Sequence, residues 1–136
     1  MNQEPFDFSI QDLNPKFLFS CLVERNTEEK NYHSHDFIEL AIIMNGSSLF
    51  CINGINYTVS TGDLILLNPG TLHKSVPVIT PNSTCCLECY MGFTEIEYRD
   101  CIKNTLPLFH GQNQILHMND KLKHDVFQLC LAVHKE

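Results

Sequence analysis

Residues 33–75 read HSHDFIELAIIMNGSSLFCINGINYTVSTGDLILLNPGTLHKS, and this stretch decides the fold. It consists of short runs rich in β-branched and aromatic residues, each bounded by Gly, Asn or Pro, a pattern typical of strands joined by turns. Asn53-Gly54 lies between two runs and predicts a two-residue hairpin, because a type I′ turn needs positive φ at both central positions. The predicted cross-strand pairs, with the large side chains on one face, are Ile52 with Ile55, Phe50 with Tyr57, and Ser48 with Val59.

Further strands are predicted on both sides of this hairpin. The runs FLFSCLV at 17–23 and FIELAIIM at 37–44 precede it, and LILLNPG at 64–70 and TLHKSVPVI at 71–79 follow it. Many short strands at roughly ten-residue spacing indicate a sandwich or barrel. We therefore expect an all-β core with a polar N-terminal arm, together occupying residues 1–93.

Two helices are predicted over residues 94–136, which we assign to the same domain. Thr94 to Glu97 fit a capping box, so a short helix should run to about Asn104, followed by a loop. From Asn119 onward an amphipathic helix carries an apolar seam, Leu122, Val126, Leu129 and Val133. The seam predicts either a homodimer contact or packing of the helix on its own sheet. The chain ends at LAVHKE without a cap, which suggests that a longer protein continues beyond it.

The length, charge and cysteine content of the chain restrict the classes of protein to which it can belong. A chain of 136 residues is long enough for one compact domain. Its net charge of -7 opposes binding to phosphate backbones, so we expect no nucleic-acid binding by this chain alone. The sequence shows no secretion signal and no membrane-spanning run, and its seven cysteines form an odd set. Reduced thiols in a cytoplasmic protein are expected.

The cysteines near residue 86 carry a motif with two readings. Cys86 and Cys89 have the CxxC spacing of zinc knuckles and redox sites. A zinc knuckle needs a second pair, and positions i and i+3 of a strand face opposite sides of the sheet. We expect these thiols to be structural.

The polar residues at the start of the quoted stretch predict a site. In a strand, alternate residues point the same way, so His33, His35, Phe37 and Glu39 should share one face. Two imidazoles and a carboxylate would then converge. The same reasoning places Phe37, Phe50 and Tyr57 along an apolar interior, although plain core packing is the alternative for each ring.

The spacing of these residues resembles that of the cupin superfamily. Its first motif is HxH, three or four residues, Glu, six residues and Gly, which His33, His35, Glu39 and Gly46 match. In the second motif Gly62, Gly70 and His73 match, which makes His73 the fourth candidate ligand. Thr27 replaces the opening glycine of the first motif, Asn68 the proline of the second, and Pro77 its closing asparagine. The resemblance implies a double-stranded β-helix, or jelly-roll barrel, followed here by a helical hairpin.

The amino-acid sequence within the motifs, with GDLILLNP after an Asn-Gly hairpin, resembles that of the N-terminal domain of AraC/XylS-type transcriptional regulators. That resemblance implies a small-molecule effector in the barrel, a helical hairpin that supports a homodimer, and a separate C-terminal domain that binds DNA. That C-terminal domain is absent from this chain. No residue indicates which effector binds.

The ligand set leaves two alternatives open. His33, His35, Glu39 and His73 suit Zn, Ni, Fe or Mn with open coordination positions, or they form a metal-free polar cluster. The regulatory module is the leading interpretation of function. A free-standing metal-dependent cupin enzyme, such as a dioxygenase or isomerase, is the alternative, although no catalytic residue outside the ligand set stands out.

Overall fold

The structure is a computed structural model and describes residues 16–94 and 114–135. Within these ranges the chain forms antiparallel strands and one helix. The strands are β1 (Lys16–Arg25), β2 (Ile38–Asn45), β3 (Ser47–Ile52), β4 (Ile55–Ser60), β5 (Asp63–Leu67), β6 (His73–Pro77), β7 (Cys86–Thr94) and β8 (Gln114–His117), and the helix is α1 (Asp120–Lys135).

Two sheets face each other across the main core. The larger sheet has the strand order β1-β7-β2-β5-β8, and the smaller one has the order β4-β3-β6. Their inner faces enclose a buried apolar cluster: Ala41, Ile43, Phe50, Ile52, Val59, Ile65, Leu67, Cys86 and Tyr90. The predicted mainly β architecture is confirmed.

The hairpin forms as predicted. β3 and β4 pair with Ile52 opposite Ile55 and Phe50 opposite Tyr57. Asn53 has a φ of 49° and Gly54 a φ of 84°, as a two-residue turn of this type requires. Because side chains alternate along a strand, this register sends Phe50 and Val59 into the core.

The central strands β2 and β7 of the larger sheet are buried on both faces. Ala41 and Ile43 of β2 point into the barrel, whereas Ile42 and Met44 point outward into a second cluster with Cys89 of β7 and Cys130 of α1. Helix α1 therefore covers the outer face, which explains why β2 is a continuous apolar run rather than an alternating one. Asn119 is the N-cap residue of α1: its Oδ1 accepts a hydrogen bond of 2.8 Å from the backbone N–H of Leu122.

The two cysteines of the CxxC motif lie on opposite faces of β7, as expected. Cys86 belongs to the barrel core and Cys89 to the cluster beneath α1. Burial raises the pKa of the Cys86 thiol to about 12, so this thiol stays protonated at neutral pH and behaves as a small apolar side chain. The six cysteines within the described ranges are free.

The second half of the chain differs from the prediction. Residues 114–117 form β8, which pairs with β5, where a loop was expected. Thr94 is the last residue of β7, and the rest of the predicted capped helix lies outside the described residues, as does the N-terminal arm. The ranges that the structure covers thus contain one helix of the predicted hairpin.

Candidate functional site

Two chain segments bring the histidines together. His33 and His35 lie in the loop before β2, and His73 begins β6. The backbone N–H of His33 donates to the carbonyl of His73 at 3.1 Å, and that of His73 donates to the carbonyl of His33 at 3.0 Å. The N–H of Gly70 donates to the carbonyl of His35 at 2.8 Å. The loop is therefore fastened to β6 by its backbone, independently of the imidazole rings.

The three imidazoles form one cluster. Ring centroids lie 4.2 Å apart for His33 and His73, 5.0 Å for His33 and His35, and 5.5 Å for His35 and His73. One nitrogen from each ring lies within 4.8 Å of the others, close to the spacing of donors around a single ion. The predicted convergence of these histidines is what the structure shows.

Glu39 closes the cluster from the barrel interior. Its side chain points inward because residue 39 has the same parity on β2 as the core residue Ala41. Its Oε2 lies 3.5 Å from Nε2 of His35, and its Oε1 lies 3.3 Å from Nε2 of His73. Among the residues described, neither Oε1 of Glu39 nor Nε2 of His73 has a hydrogen-bond partner, although both atoms are buried. Such an arrangement is costly unless a cation or a proton lies between them.

The backbone fixes the tautomer of His73. Nδ1 lies 2.9 Å from the carbonyl oxygen of Thr71, which can only accept, so Nδ1 carries a proton. In the neutral ring Nε2 then presents a lone pair to Glu39. Burial lowers the pKa of His73, but the Glu39 carboxylate and the Thr71 carbonyl outweigh burial and hold that pKa above its usual value. Burial lowers the pKa of His35, which favours a neutral ring there.

These residues fit a divalent metal ion. The three imidazole nitrogens, with the Glu39 carboxylate beside His35 and His73, are donors of the kind that zinc and the divalent ions of iron, nickel and manganese take in proteins. The lone pair on His73 Nε2, with Nδ1–H bonded to a carbonyl, is the arrangement usual for a histidine ligand. The two buried atoms without partners, Nε2 of His73 and Oε1 of Glu39, would be paired either by a cation or by a proton between them.

A cavity of about 170 Å³ lies beneath the cluster inside the barrel. Its walls combine apolar and charged side chains: Phe19, Cys21, Val23, Arg25, Glu29, His33, Glu39 and Tyr90. The apolar wall comes from β1, whose residues 19, 21, 23 and 25 share one inward face. His33 and Glu39 of the cluster thus border a partly apolar cavity that is open to the surface.

A buried charged pair next to this cavity, between Arg25 of its wall and Glu88, was not predicted from the sequence. Glu88 is fully buried and accepts hydrogen bonds from Arg25 Nε at 2.8 Å, Tyr90 OH at 2.7 Å and Ser75 Oγ at 2.8 Å. Burial, followed by the charge of Glu88, raises the pKa of Tyr90 well above its usual value, so the phenol stays protonated and donates. One signal was available: Glu88 interrupts an apolar run at the same strand parity as Cys86 and Tyr90.

The three predicted aromatic residues of the pocket have different positions. Phe37 stacks on His35, with centroids 4.6 Å apart and planes at 5°, and meets Phe19 edge to face at 5.4 Å. Phe50 is a core residue, in agreement with the alternative of plain packing. Tyr57 is 38% exposed and lines a separate surface groove of about 530 Å³ beside β8, so the structure does not bring it to the histidines.

The seam of α1 divides into two pairs. Val126 and Val133 pack against the outer cluster of the large sheet. Leu122 and Leu129 are 41% and 62% exposed. They lie seven positions apart and therefore on one side of the helix. The packing alternative accounts for the valines and leaves the two leucines at the surface.

A barrel of two antiparallel sheets, closed at one end by histidines and a glutamate, defines a cupin-type binding domain. The sequence matches the family described as the AraC-like ligand binding domain over residues 18–135, and the chain belongs to that family. A comparison with curated proteins finds no significant match.

Solved structures share the fold at low sequence identity. A ToxT variant from Vibrio cholerae superposes with a TM-score of 0.59 at 10% identity, covering 85% of this chain and 47% of ToxT. Unsaturated fatty acid bound ToxT gives a TM-score of 0.53 at 11% identity, over 88% of this chain and 46% of that one. An RmlC-like cupin from Shewanella frigidimarina gives 0.47 at 15% identity, over 74% and 96%. The chain spans about half the length of ToxT. Within the described ranges no helix is long and apolar enough to cross a membrane.

Proposed function

We propose that this chain is the sensor and dimerisation part of an AraC-type transcription regulator and binds a small-molecule effector inside its barrel. The observation that carries the proposal is the cavity beneath the histidine cluster. It combines apolar walls with a few convergent polar groups, the usual composition of a small-molecule site. Membership of the AraC-like ligand-binding family supports the same role. We place this regulator in the cytoplasm, where its thiols stay reduced.

The size of the cavity favours a small effector. A volume of about 170 Å³ corresponds to about five or six water molecules at liquid density. A ToxT structure holds an unsaturated fatty acid, which supports the general role but not the same ligand. An effector in this cavity would contact the β1 wall with its apolar part and reach Glu39 or His33 with its polar part.

We also propose that the site holds a divalent cation through His33, His35, His73 and Glu39. Such an ion would supply Lewis acidity and would bind an effector oxygen at an open coordination position. The residues of the chain contribute the orientation: β6 fixes His73, and the stack on Phe37 fixes the plane of His35.

Filling the cavity should abolish effector binding. Cys21 lies on the apolar wall, and Cys21→Phe would occupy the space that an effector needs. We expect some members of a library of small polar metabolites to raise the melting temperature of the wild-type protein, since binding at 100 Kd stabilises by about 2.7 kcal/mol. The same compounds should leave the melting temperature of the Cys21→Phe variant unchanged. Compounds that stabilise both proteins equally would place the effector site elsewhere.

The exposed leucines of α1 are proposed as the contact with a second copy of the chain. A regulator that reads two DNA half-sites needs two subunits, and a two-fold contact uses the same patch on both. Leu122 and Leu129 form an apolar strip that the parent sheet does not cover. DNA binding itself is assigned to a further domain, since the charge of -7 disfavours it here.

Leu129→Lys is expected to give a monomer in light scattering. At 62% exposure the leucine contributes little to its own fold, so the change should alter the free energy of unfolding by no more than about 0.5 kcal/mol. Leu131→Lys is the matched control, because this leucine is also exposed but lies on the opposite side of the helix. An unchanged mass for Leu129→Lys, or equal dissociation by both variants, would contradict the proposed contact.

A metal-dependent cupin enzyme is the second candidate. The observation in its favour is the cluster of three imidazoles with the Glu39 carboxylate beside it, a donor set that would leave positions open on a bound ion. Elemental analysis of untagged protein from its native host separates the two proposals. Stoichiometric iron or manganese would favour the enzyme, whereas effector-dependent stabilisation with zinc or without metal favours the sensor.

A further inference from the structure

Glu29 lies at the junction of three segments of the site. It belongs to the loop between β1 and β2, and its side chain is 20% exposed. Oε2 lies 3.4 Å from Nδ1 of His33, while Oε1 accepts a 2.9 Å hydrogen bond from the backbone N–H of Ser75. Oε1 is also 3.8 Å from a guanidinium nitrogen of Arg25. One carboxylate therefore touches the histidine loop, β6 and β1.

The carboxylate of Glu29 orients the ring of His33. A carboxylate only accepts, so it favours the proton of the imidazole on the nearer nitrogen, Nδ1. Nε2 of His33 then keeps its lone pair for the cluster. His73 shows the same pattern, with Nδ1 on the Thr71 carbonyl and Nε2 facing Glu39. In both rings a carbonyl or carboxylate oxygen lies next to Nδ1, which leaves Nε2 as the nitrogen with the lone pair.

The hydrogen bonds between Glu29 and the backbone of Ser75 align the two segments that carry the histidines, the loop before β2 and strand β6. Its N–H donates to the carbonyl of Ser75 at 3.2 Å, and its carboxylate accepts from the N–H of the same residue. Ser75 follows His73 by two positions on β6. The loop is consequently held against β6 at Glu29 and again at His33, on both sides of the intervening turn.

We infer that Glu29 is a positioning residue of the cation site, which sets the orientation and tautomer of His33 and fixes its segment against β6. This inference rests on the proposed cation binding by the cluster. Glu29 does not belong to the HxH, Glu and His motif residues, and it reaches the cation only through His33. Its removal should weaken the site without removing a ligand.

The test compares Glu29→Gln with Glu28→Gln in Zn²⁺ titration calorimetry on protein stripped with chelator. In Glu29→Gln the new amide still offers an oxygen to Ser75, but its nitrogen can donate to Nδ1 and stabilise the opposite tautomer of His33. We expect a loss of about 10- to 100-fold in Zn²⁺ affinity, as for other residues that orient a ligand. Glu28 is 62% exposed, and its contact among the described residues is with Lys74 at 3.7 Å, away from the histidines, so its variant should bind Zn²⁺ like the wild type. Equal affinities for all three proteins would overturn the inference.

A second readout needs no metal. Nitrogen-15 NMR of the histidine side chains distinguishes a proton on Nδ1 from one on Nε2, and we expect His33 to change from the first to the second in Glu29→Gln. Glu29→Asp, which keeps the charge, should retain the original tautomer. If wild-type protein binds no Zn²⁺ but the tautomer changes as stated, cation binding fails and the positioning role stands. If His33 keeps its tautomer in Glu29→Gln, the positioning role fails whatever the metal does.

Discussion

Arg25→Met is expected to lower the free energy of unfolding by about 3 kcal/mol, because it leaves the carboxylate of Glu88 buried without its cation. Glu88 has no exposed surface and lies between Arg25, Tyr90 and Ser75. Two neutral hydroxyl donors do not replace a guanidinium in a low-dielectric interior. Urea unfolding followed by circular dichroism measures the change, provided that the slope of the transition is the same in both proteins.

Two further variants make this prediction specific. Adding Glu88→Gln to Arg25→Met removes the unpaired charge and keeps an acceptor for Tyr90, so most of the lost stability should return. Lys74→Met breaks the more exposed pair between Lys74 and Glu28 and should cost about 1 kcal/mol or less. A destabilisation by Arg25→Met no larger than that of Lys74→Met would show that the buried pair contributes little.

His73→Ala is expected to abolish stoichiometric Zn²⁺ binding, with a loss of affinity of at least about 100-fold, since a ligand matters more than the residues that orient it. The backbone pairing of residue 73 with His33 does not depend on the imidazole and should survive. Zn²⁺ calorimetry measures the loss, and the far-ultraviolet circular dichroism spectrum of the variant checks that the sheets are intact.

His124→Ala provides the matched control for this variant. His124 is exposed on α1 and lies outside the cluster, so its removal should leave Zn²⁺ affinity unchanged. Wild-type protein that takes up less than one equivalent of Zn²⁺, or a His73→Ala variant that binds like the wild type, would contradict the assignment of His73 as a ligand.

Short sequence signals were sufficient to predict the parts of the structure that depend on a single turn or motif. Asn53-Gly54 forced positive φ at two positions, and the register of β3 and β4 followed without ambiguity. Strand alternation was the wrong reason for the convergence of His33, His35 and Glu39, because the two histidines lie in a loop before β2. The cupin-like motif, which supplied all four positions including His73, was the informative signal. Each of these predictions needed either a turn or a motif, both of which are short-range information.

Long-range packing decided the remainder. Tyr57 pairs with Phe50 as predicted, but β4 is an edge strand and leaves the ring at the rim, beside β8. Arg25 and Glu29 look like solvent-facing charges in the sequence, because the partner of Arg25, Glu88, lies 63 positions away and that of Glu29, Ser75, lies 46 positions away. β8 has only four residues and pairs with β5, from Asp63 opposite His117 to Leu66 opposite Gln114, so no local periodicity reports it.

β7 separates the barrel interior from the apolar cluster beneath α1, and it is a single layer of backbone between them. Tyr90 lines the cavity, and Cys89 and Met91 face α1. The strand is hydrogen-bonded along both edges, to β1 and β2, which restrains it within the plane of the sheet. β7 can therefore move mainly in the direction perpendicular to the sheet. A ligand that displaces Tyr90 from inside the barrel would displace the surface on which α1 packs.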